Sequence, residues 1–281
     1  MMQSRLLHRR QQGFTLMEAV LVIMLTGIVA AMVGVFIRAP ITGYVDQARR
    51  AELSDAADIA LRRIAREVQR ALPNSVRVAS GQVLEFLPVS AGGRYRAAPE
   101  MDGSGDFIDF DSTTDGSFAV LGPGVDIAAG SHLVVYNLGL PGADAYSGES
   151  RRALTSAGNG LASLSYSVGG TQFPFASPSN RFQVITTPVT FLCAPVAGGA
   201  GTLRRYGGYA IQAAQPTSPS AAPLAGLSGN DNALLTNLVA SCSFEFAATS
   251  ERNGLLTLTL TLSSDGESVT LLHQVHLDNS P

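Results

Sequence analysis

Lysine is absent from this chain of 281 residues, and all 19 basic side chains are arginine. We read that as codon bias ahead of chemistry. Tryptophan is absent too, and only two cysteines occur, Cys193 and Cys242. No CxxC pair and no Cys/His cluster at zinc spacing is present, so a structural zinc site is not expected. Charged residues make up only 15%, which is low for a soluble protein, and the 46% of hydrophobic residues is raised by one run near the N-terminus. The net charge of -3 is unevenly spread: Arg5, Arg9 and Arg10 fall within residues 1–13, and without that segment 16 bases face 22 acids. Such a balance argues against nucleic-acid binding, which draws most of its affinity from a basic face. Strings of the GxSxG, HExxH and P-loop kinds are missing. His273 and His276 lie three apart on a strand-like segment and so point to opposite faces, as poor co-ligands. We therefore expect no catalytic residues, no cofactor and no metal. The acidic stretch Asp102, Asp106, Asp109, Asp111 and Asp115 lacks EF-hand spacing and reads as a polar loop, with calcium as the other reading.

What is present begins at residue 11, QQGFTLMEAVLVIMLTGIVAAMVGVFI. Residues 19–37 contain no charge. As a helix they span about 28 Å, close to the hydrocarbon thickness of a bilayer. The three arginines before the run place the N-terminus in the cytoplasm and the rest of the chain across the membrane. A secretory signal peptide would have a shorter apolar core and a small-x-small cleavage site, whereas FIRAP is a poor one. A plain signal anchor leaves Glu18, and the string in which it stands, without an explanation.

Gly13-Phe14-Thr15-Leu16-Met17-Glu18 resembles the type IV prepilin processing site. The resemblance implies that a prepilin peptidase cuts after Gly13 and methylates Phe14, and that the apolar run is retained. Glu18 then stands four residues from the new amine, about 6 Å along the helix axis. A lone carboxylate deep in lipid costs about 2.5–3.5 kcal/mol. Packing of subunits into a filament would leave it in need of a cation, and the family supplies the N-terminal amine of a neighbour, an ion pair used for register. Glu18 also suits the positive end of the helix dipole. Thr15 assists the N-terminus.

Pro40 and Gly43 break the pattern after Arg38, and a kink is expected there. Beyond them Leu53, Ala57, Ala60, Leu61, Ile64, Val68 and Leu72 recur at spacings of three and four, an amphipathic helix ended by Leu72-Pro73. Arg62, Arg63, Arg66, Glu67 and Arg70 form either a solvated face or a contact with an acidic neighbour. The divisions expected are a leader over 1–13, a membrane and assembly half of the helix over 14–38, an amphipathic half over 39–72 and a β-rich periplasmic head over 73–281.

From Val76 the period becomes two. VRVAS and VLEFLP read as a hairpin about Gly81-Gln82. FIDFD (107–111), SFAVL, HLVVYNL and SLSYSV read as short strands. RFQVITTPVTFLC (181–193) reads as a longer one in which Pro188 marks an edge or bulge. GLLTLTLTLSSDGESVTLLHQVHL is the clearest hairpin, with Leu256, Leu258, Leu260 and Leu262 facing inward. Residues 213–230 read as a mobile or exposed loop, and 232–239 as a short helix. The cysteines sit in strand-like surroundings outside the membrane, where a disulfide is expected; two buried free thiols are the other reading. The fold class expected is α+β, a long N-terminal helix packed on a mostly antiparallel sheet.

ALRRIAREVQRALPNSVRV, RYR at 94–96, AVLGPG and LLTNLVASCSFEF are similar to the MshO-like minor pilins of MSHA-type systems. The arginine-rich helix end also resembles J-type pseudopilins of type II secretion and W-type minor pilins. That resemblance implies a low-copy subunit priming or capping a filament. Its implied partners are prepilin peptidase, other minor pilins, the major pilin, the inner-membrane assembly platform and the lipid bilayer. A tip adhesin and a membrane-anchored periplasmic enzyme are the alternatives.

Overall fold

The computed structural model describes residues 13–250 and 253–281. The expected leader, apart from Gly13, lies outside the described residues. The chain divides into two compact units, Met1–Arg50 and Ala51–Pro281. One helix, α1, runs over Leu16–Val68. Its assignment continues through Pro40, so the membrane and amphipathic halves belong to one helix despite the missing N–H of that proline. In the first unit, Leu16–Phe36 is long and apolar enough to cross a membrane, with a mean hydropathy of 2.7 and no buried residue. The hydroxyl of Thr26 is satisfied inside this stretch by the carbonyls of Val22 (2.7 Å) and Ile23 (3.0 Å), which lets a polar side chain sit in an apolar run.

The second unit is built from the last turns of α1 and fifteen strands. In chain order these are β1 (Arg77–Ala79), β2 (Val83–Phe86), β3 (Val89–Tyr95), β4 (Ser117–Leu121), β5 (Val125–Ile127), β6 (His132–Val134), β7 (Arg151–Ala153) and β8 (Gly158–Leu161). There follow β9 (Ser163–Ser165), β10 (Arg181–Ile185), β11 (Val189–Ala194), β12 (Gly201–Tyr206), β13 (Asn232–Ser250), β14 (Asn253–Ser264) and β15 (Glu267–Asp278). One antiparallel sheet has the order β1-β2-β11-β12-β13-β14-β15; a second has β7-β6-β10-β3-β4-β9; β5 and β8 form a pair of their own. The fold is α+β and pilin-like, an N-terminal apolar helix continuing into a segment packed on antiparallel sheet.

The helix stripe read from the sequence is the one that packs. Leu53, Ala57, Ala60, Leu61, Ile64, Ala65 and Val68 are buried against Leu84, Phe86, Phe191, Leu203, Phe244 and the leucines of β14. Each large aliphatic side chain covered in this way contributes roughly 1.5–3 kcal/mol. Glu67 fixes the contact laterally, accepting from Arg205 of β12 at 2.7 Å and from Arg63 at 3.3 Å. The helix ends at Val68, earlier than the Leu72-Pro73 signal. By Leu72 the backbone already donates to the carbonyl of Leu87 (2.7 Å), and this competing partner ends the helical ladder.

Two strand pairs link the two main sheets. β2 pairs with β11 in the first sheet, while β3 pairs with β10 in the second. The breaks fall at Pro88 and Pro188. RFQVITTPVTFLC is therefore two strands in different sheets, both interior, with a register shift at Val184/Ile185. A proline cannot donate to a ladder, and the junction between sheets is where no ladder donor is needed.

Two other expectations change. FIDFD is a loop: the Asp115 carboxylate accepts from the backbone N–H of Asp109 (2.7 Å) and that of Asp109 from Asp111 (3.0 Å), turns that compete with strand pairing. Residues 232–239 are the start of β13, because β12 takes them as its ladder partner from Asn232 to Val239. The helix-like LLTNLV spacing yields to that tertiary pairing. The 213–230 loop is mostly exposed, as read, and is anchored by Leu224, which is buried among Val83, Leu192, Tyr206 and Tyr209. The C-terminal hairpin forms as read, with Asp265 and Gly266 at φ of 47° and 86° in its turn and the four leucines at 0–1% exposure.

Cys193 and Cys242 are joined in a disulfide. They lie on β11 and β13, which flank β12. Past Leu238, at φ 60°, β13 approaches the β1–β2 turn, where Phe244 donates to the carbonyl of Gly81 (2.7 Å). Cys193 donates to the neighbouring carbonyl of Gln82 (2.9 Å), and this shared turn sets the two cysteines side by side.

Candidate functional site

The start of α1 is assembled from four successive features. Gly13 and Phe14 precede the helix, and Phe14 is 76% exposed. A Cβ added at Gly13 would meet nothing within 4 Å, so the fold itself does not call for glycine there. Thr15 caps the helix: its Oγ1 accepts the backbone N–H of Glu18 at 3.3 Å, while its carbonyl takes that of Ala19 at 3.1 Å. The sequence signal for this cap is Thr-x-x-Glu before an apolar run, and it gives Thr15 a definite local task.

Glu18 lies in the first helical turn, where the unpaired N–H groups favour a negative charge. Its side chain is exposed and makes no ion pair among the described residues. The helix dipole therefore accounts for part of this acid's placement. It leaves an accessible carboxylate at the head of an apolar span of 21 residues.

A family model described as "Prokaryotic N-terminal methylation motif" matches residues 8–34. The chain carries a prepilin-type methylation motif. This motif and the apolar helix behind it support a membrane-anchored, single-pass, type IV pilin-like protein, and imply processing by prepilin peptidase and assembly with other pilins. No curated protein and no solved structure matches the chain.

In the head, three aspartates of the 102–115 stretch, Asp106, Asp109 and Asp115, border one recess, while Asp102 and Asp111 are not among its lining. Among the described residues no group of three or more His, Cys, Asp or Glu side chains is placed to hold a metal ion. Asp102 instead accepts from the backbone and hydroxyl of Ser104, bonds that lower its pKa. His273 and His276 fall on opposite faces of β15, with His276 exposed. Of the arginine group, Arg62 pairs with Asp58 at 2.7 Å, and with Arg66 it lines a groove beside Ile59, Gln69 and His273.

Sequence reasoning missed two buried polar networks. Glu85 on β2 is wholly buried, bound by Arg77 Nε at 2.7 Å and by the Tyr209 hydroxyl at 2.9 Å, which in turn meets Thr190. Burial pushes the pKa of Glu85 up, against the opposing pull of Arg77. Tyr209 is raised as well, by burial and then by the Glu85 charge. The available signal was an acid in the middle of the apolar string VLEFLP. The second network centres on Arg152, 8% exposed, whose guanidinium donates to carbonyls of Thr171, Gln172, Gly148, Glu149 and Arg151 and stacks over Phe173. Nothing in the local sequence distinguishes it from its exposed counterparts.

Proposed function

We propose that this chain is a minor pilin of a type IV pilus, similar to the MshO-like subunits of MSHA-type systems, that primes or caps a filament by assembly and without catalysis. The observation that carries this reading is the juxtaposition at residues 13–18. A glycine with open space around it, an exposed aromatic, a capping threonine and an exposed acid lie directly before the apolar span. Each suits a processing enzyme or a neighbouring subunit better than it suits the chain's own packing.

On this reading prepilin peptidase cuts after Gly13 and methylates Phe14. The leader stays in the cytoplasm, the helix is anchored in the inner membrane and the head lies in the periplasm until assembly, with a final position near the pilus tip. Glu18 pairs with the N-terminal amine of an adjacent pilin, minor or major, as subunits leave the bilayer through the assembly platform. Desolvation makes such a pair demanding of geometry, which serves register more than raw stability.

The test is the N-terminal residue and mass of the protein from its native membrane, with and without prepilin peptidase. N-methylated Phe14 that appears only with the peptidase supports the reading. An N-terminus at Met1, or one beyond residue 37, overturns it. A J-type pseudopilin would carry the same N-terminus. In a deletion strain, loss of surface filaments with intact secretion favours the pilus, and loss of secretion favours the pseudopilus. Intact filaments with lost adhesion would instead favour a tip adhesin.

A further inference from the structure

The edge of the second sheet carries two adjacent arginines, Arg151 and Arg152, that form no ion pair among the described residues. Arg152 on β7 is buried, and its nitrogens meet only carbonyl oxygens. Carbonyl dipoles satisfy its hydrogen-bonding capacity but carry no net charge. The side chain of its neighbour Arg151 is half-buried and makes no hydrogen bond or ion pair among the described residues. Two acids of the adjoining loop are held by backbone N–H groups rather than by the arginines. Glu149 accepts from the backbone N–H groups of Gly142 (2.9 Å) and Asp144 (3.1 Å), and Asp144 from those of Tyr146 and Ser147. Asp144 is close enough to stabilise the Arg151 charge and yet does not pair with it.

His132 opens onto the same recess. It sits on β6 opposite Ala153, two residues along from the Val134–Arg151 pair and so on the same face, and its Nδ1 is buried with no hydrogen-bond partner among the described residues. His132, Arg151 and Arg152 line one pocket together with backbone at Gly148, Gly169 and Thr171. The planar guanidinium fork is matched best by a planar oxyanion held through paired N–H donors.

We propose that the recess at the β6–β7 edge is a carboxylate-binding site in which Arg151 makes the principal contact and Arg152 supplies fixed positive charge, with the His132 ring in the wall of the recess. The carboxylate comes either from a free small molecule or from an acidic side chain of a partner protein. The site is independent of the pilin reading, since none of its residues belongs to the helix.

The test uses the full chain in detergent, labelled at histidine, with the imidazole resonances followed by NMR at fixed pH and ionic strength. Sodium acetate is titrated against a sodium chloride control. A saturable shift of the His132 resonance is expected, with His273 and His276 unmoved, and Arg151→Gln is expected to weaken it about tenfold or more, the loss of one charge-assisted hydrogen bond. Unchanged His273 and His276 resonances in the variant show that it has folded. A tri-aspartate peptide that binds at least about tenfold more tightly than acetate assigns the carboxylate to a partner protein; equal affinities assign it to a free small molecule. No saturable shift with acetate or peptide, a chloride curve that matches acetate, or an Arg151→Gln curve that matches wild type each overturns the site.

Discussion

Arg77 and Glu85 face each other across the β1–β2 hairpin, with Nε 2.7 Å from a carboxylate oxygen that is entirely shielded from water. Arg77 also lies over the ring of Tyr146 at 3.5 Å and donates to the carbonyls of Gln212 (2.9 Å) and Ala213 (2.7 Å). One guanidinium thus joins the hairpin, a loop of the second sheet and the start of the Pro/Ser/Ala-rich loop. Arg77→Ala leaves a buried carboxylate with the Tyr209 hydroxyl but without its charge partner, at a cost of about 3–5 kcal/mol. It should also free residues 212–215. Denaturant titration of the full chain in detergent reads the first effect. Faster cleavage within 213–230 by a broad-specificity protease reads the second.

The pH dependence of this network has a definite sign. Burial holds the pKa of Glu85 above its ordinary value in the folded chain. Its contribution to stability is therefore fully present below the ordinary carboxylate range and is lost as pH rises through the raised folded value. Glu85→Gln cannot ionise, and arginine does not titrate in this range. Between about pH 4 and pH 8 the wild type should lose stability relative to the variant as pH increases. Paired unfolding curves across that range check it, and a difference that grows the other way contradicts it.

Removal of the Cys193–Cys242 bond, by substitution of both residues with alanine, is expected to lower the stability of the head by about 4 kcal/mol on the chain-entropy account for a loop of roughly 50 residues. Thermal unfolding with and without reductant gives the same comparison in the wild type. The segment of β13 after Leu238 should then show the earliest loss of amide protection, because the bond holds it beside β11.

The C-terminal hairpin separates the two faces of one strand. Leu258 is fully buried against the helix, whereas Thr259 points to the other side. Leu258→Ala should cost about 2–5 kcal/mol through lost burial and a residual cavity. Thr259→Ala should change stability by only about 0.5 kcal/mol. The difference is measurable by denaturant midpoint.

At the N-terminus, Glu18→Gln retains a polar side chain and a similar shape but removes the charge. Processing after Gly13 should persist while incorporation into filaments falls sharply. Mass spectrometry of the membrane fraction and immunodetection on sheared filaments distinguish the two steps. Normal incorporation would leave the helix dipole as the sole role of this acid.

Much of the architecture was legible because its causes are local. The charge-free run over 19–37 fixes a membrane-length helix by length and composition, Thr15 and Glu18 mark its cap, and the i, i+3, i+4 apolar spacing from Leu53 to Val68 selects the buried face. Alternating leucines about an Asp-Gly turn define the last hairpin in the same way. The failures share one cause as well. Residues 232–239 became strand because they pair with the side of β12 that β11 leaves open, and the run from Arg181 to Cys193 was divided by a junction between sheets that only the complete fold contains. The burial of Glu85 and Arg152 was decided there too, since an acid in a strand or an arginine at an edge acquires its environment from segments that are distant in sequence. By itself the sequence determined the periodicities, the turns and the processing motif, which depend on neighbours within a few residues. Which strands meet, and which charges lose contact with water in consequence, was decided only by tertiary structure, because desolvation is a property of everything that packs around a group.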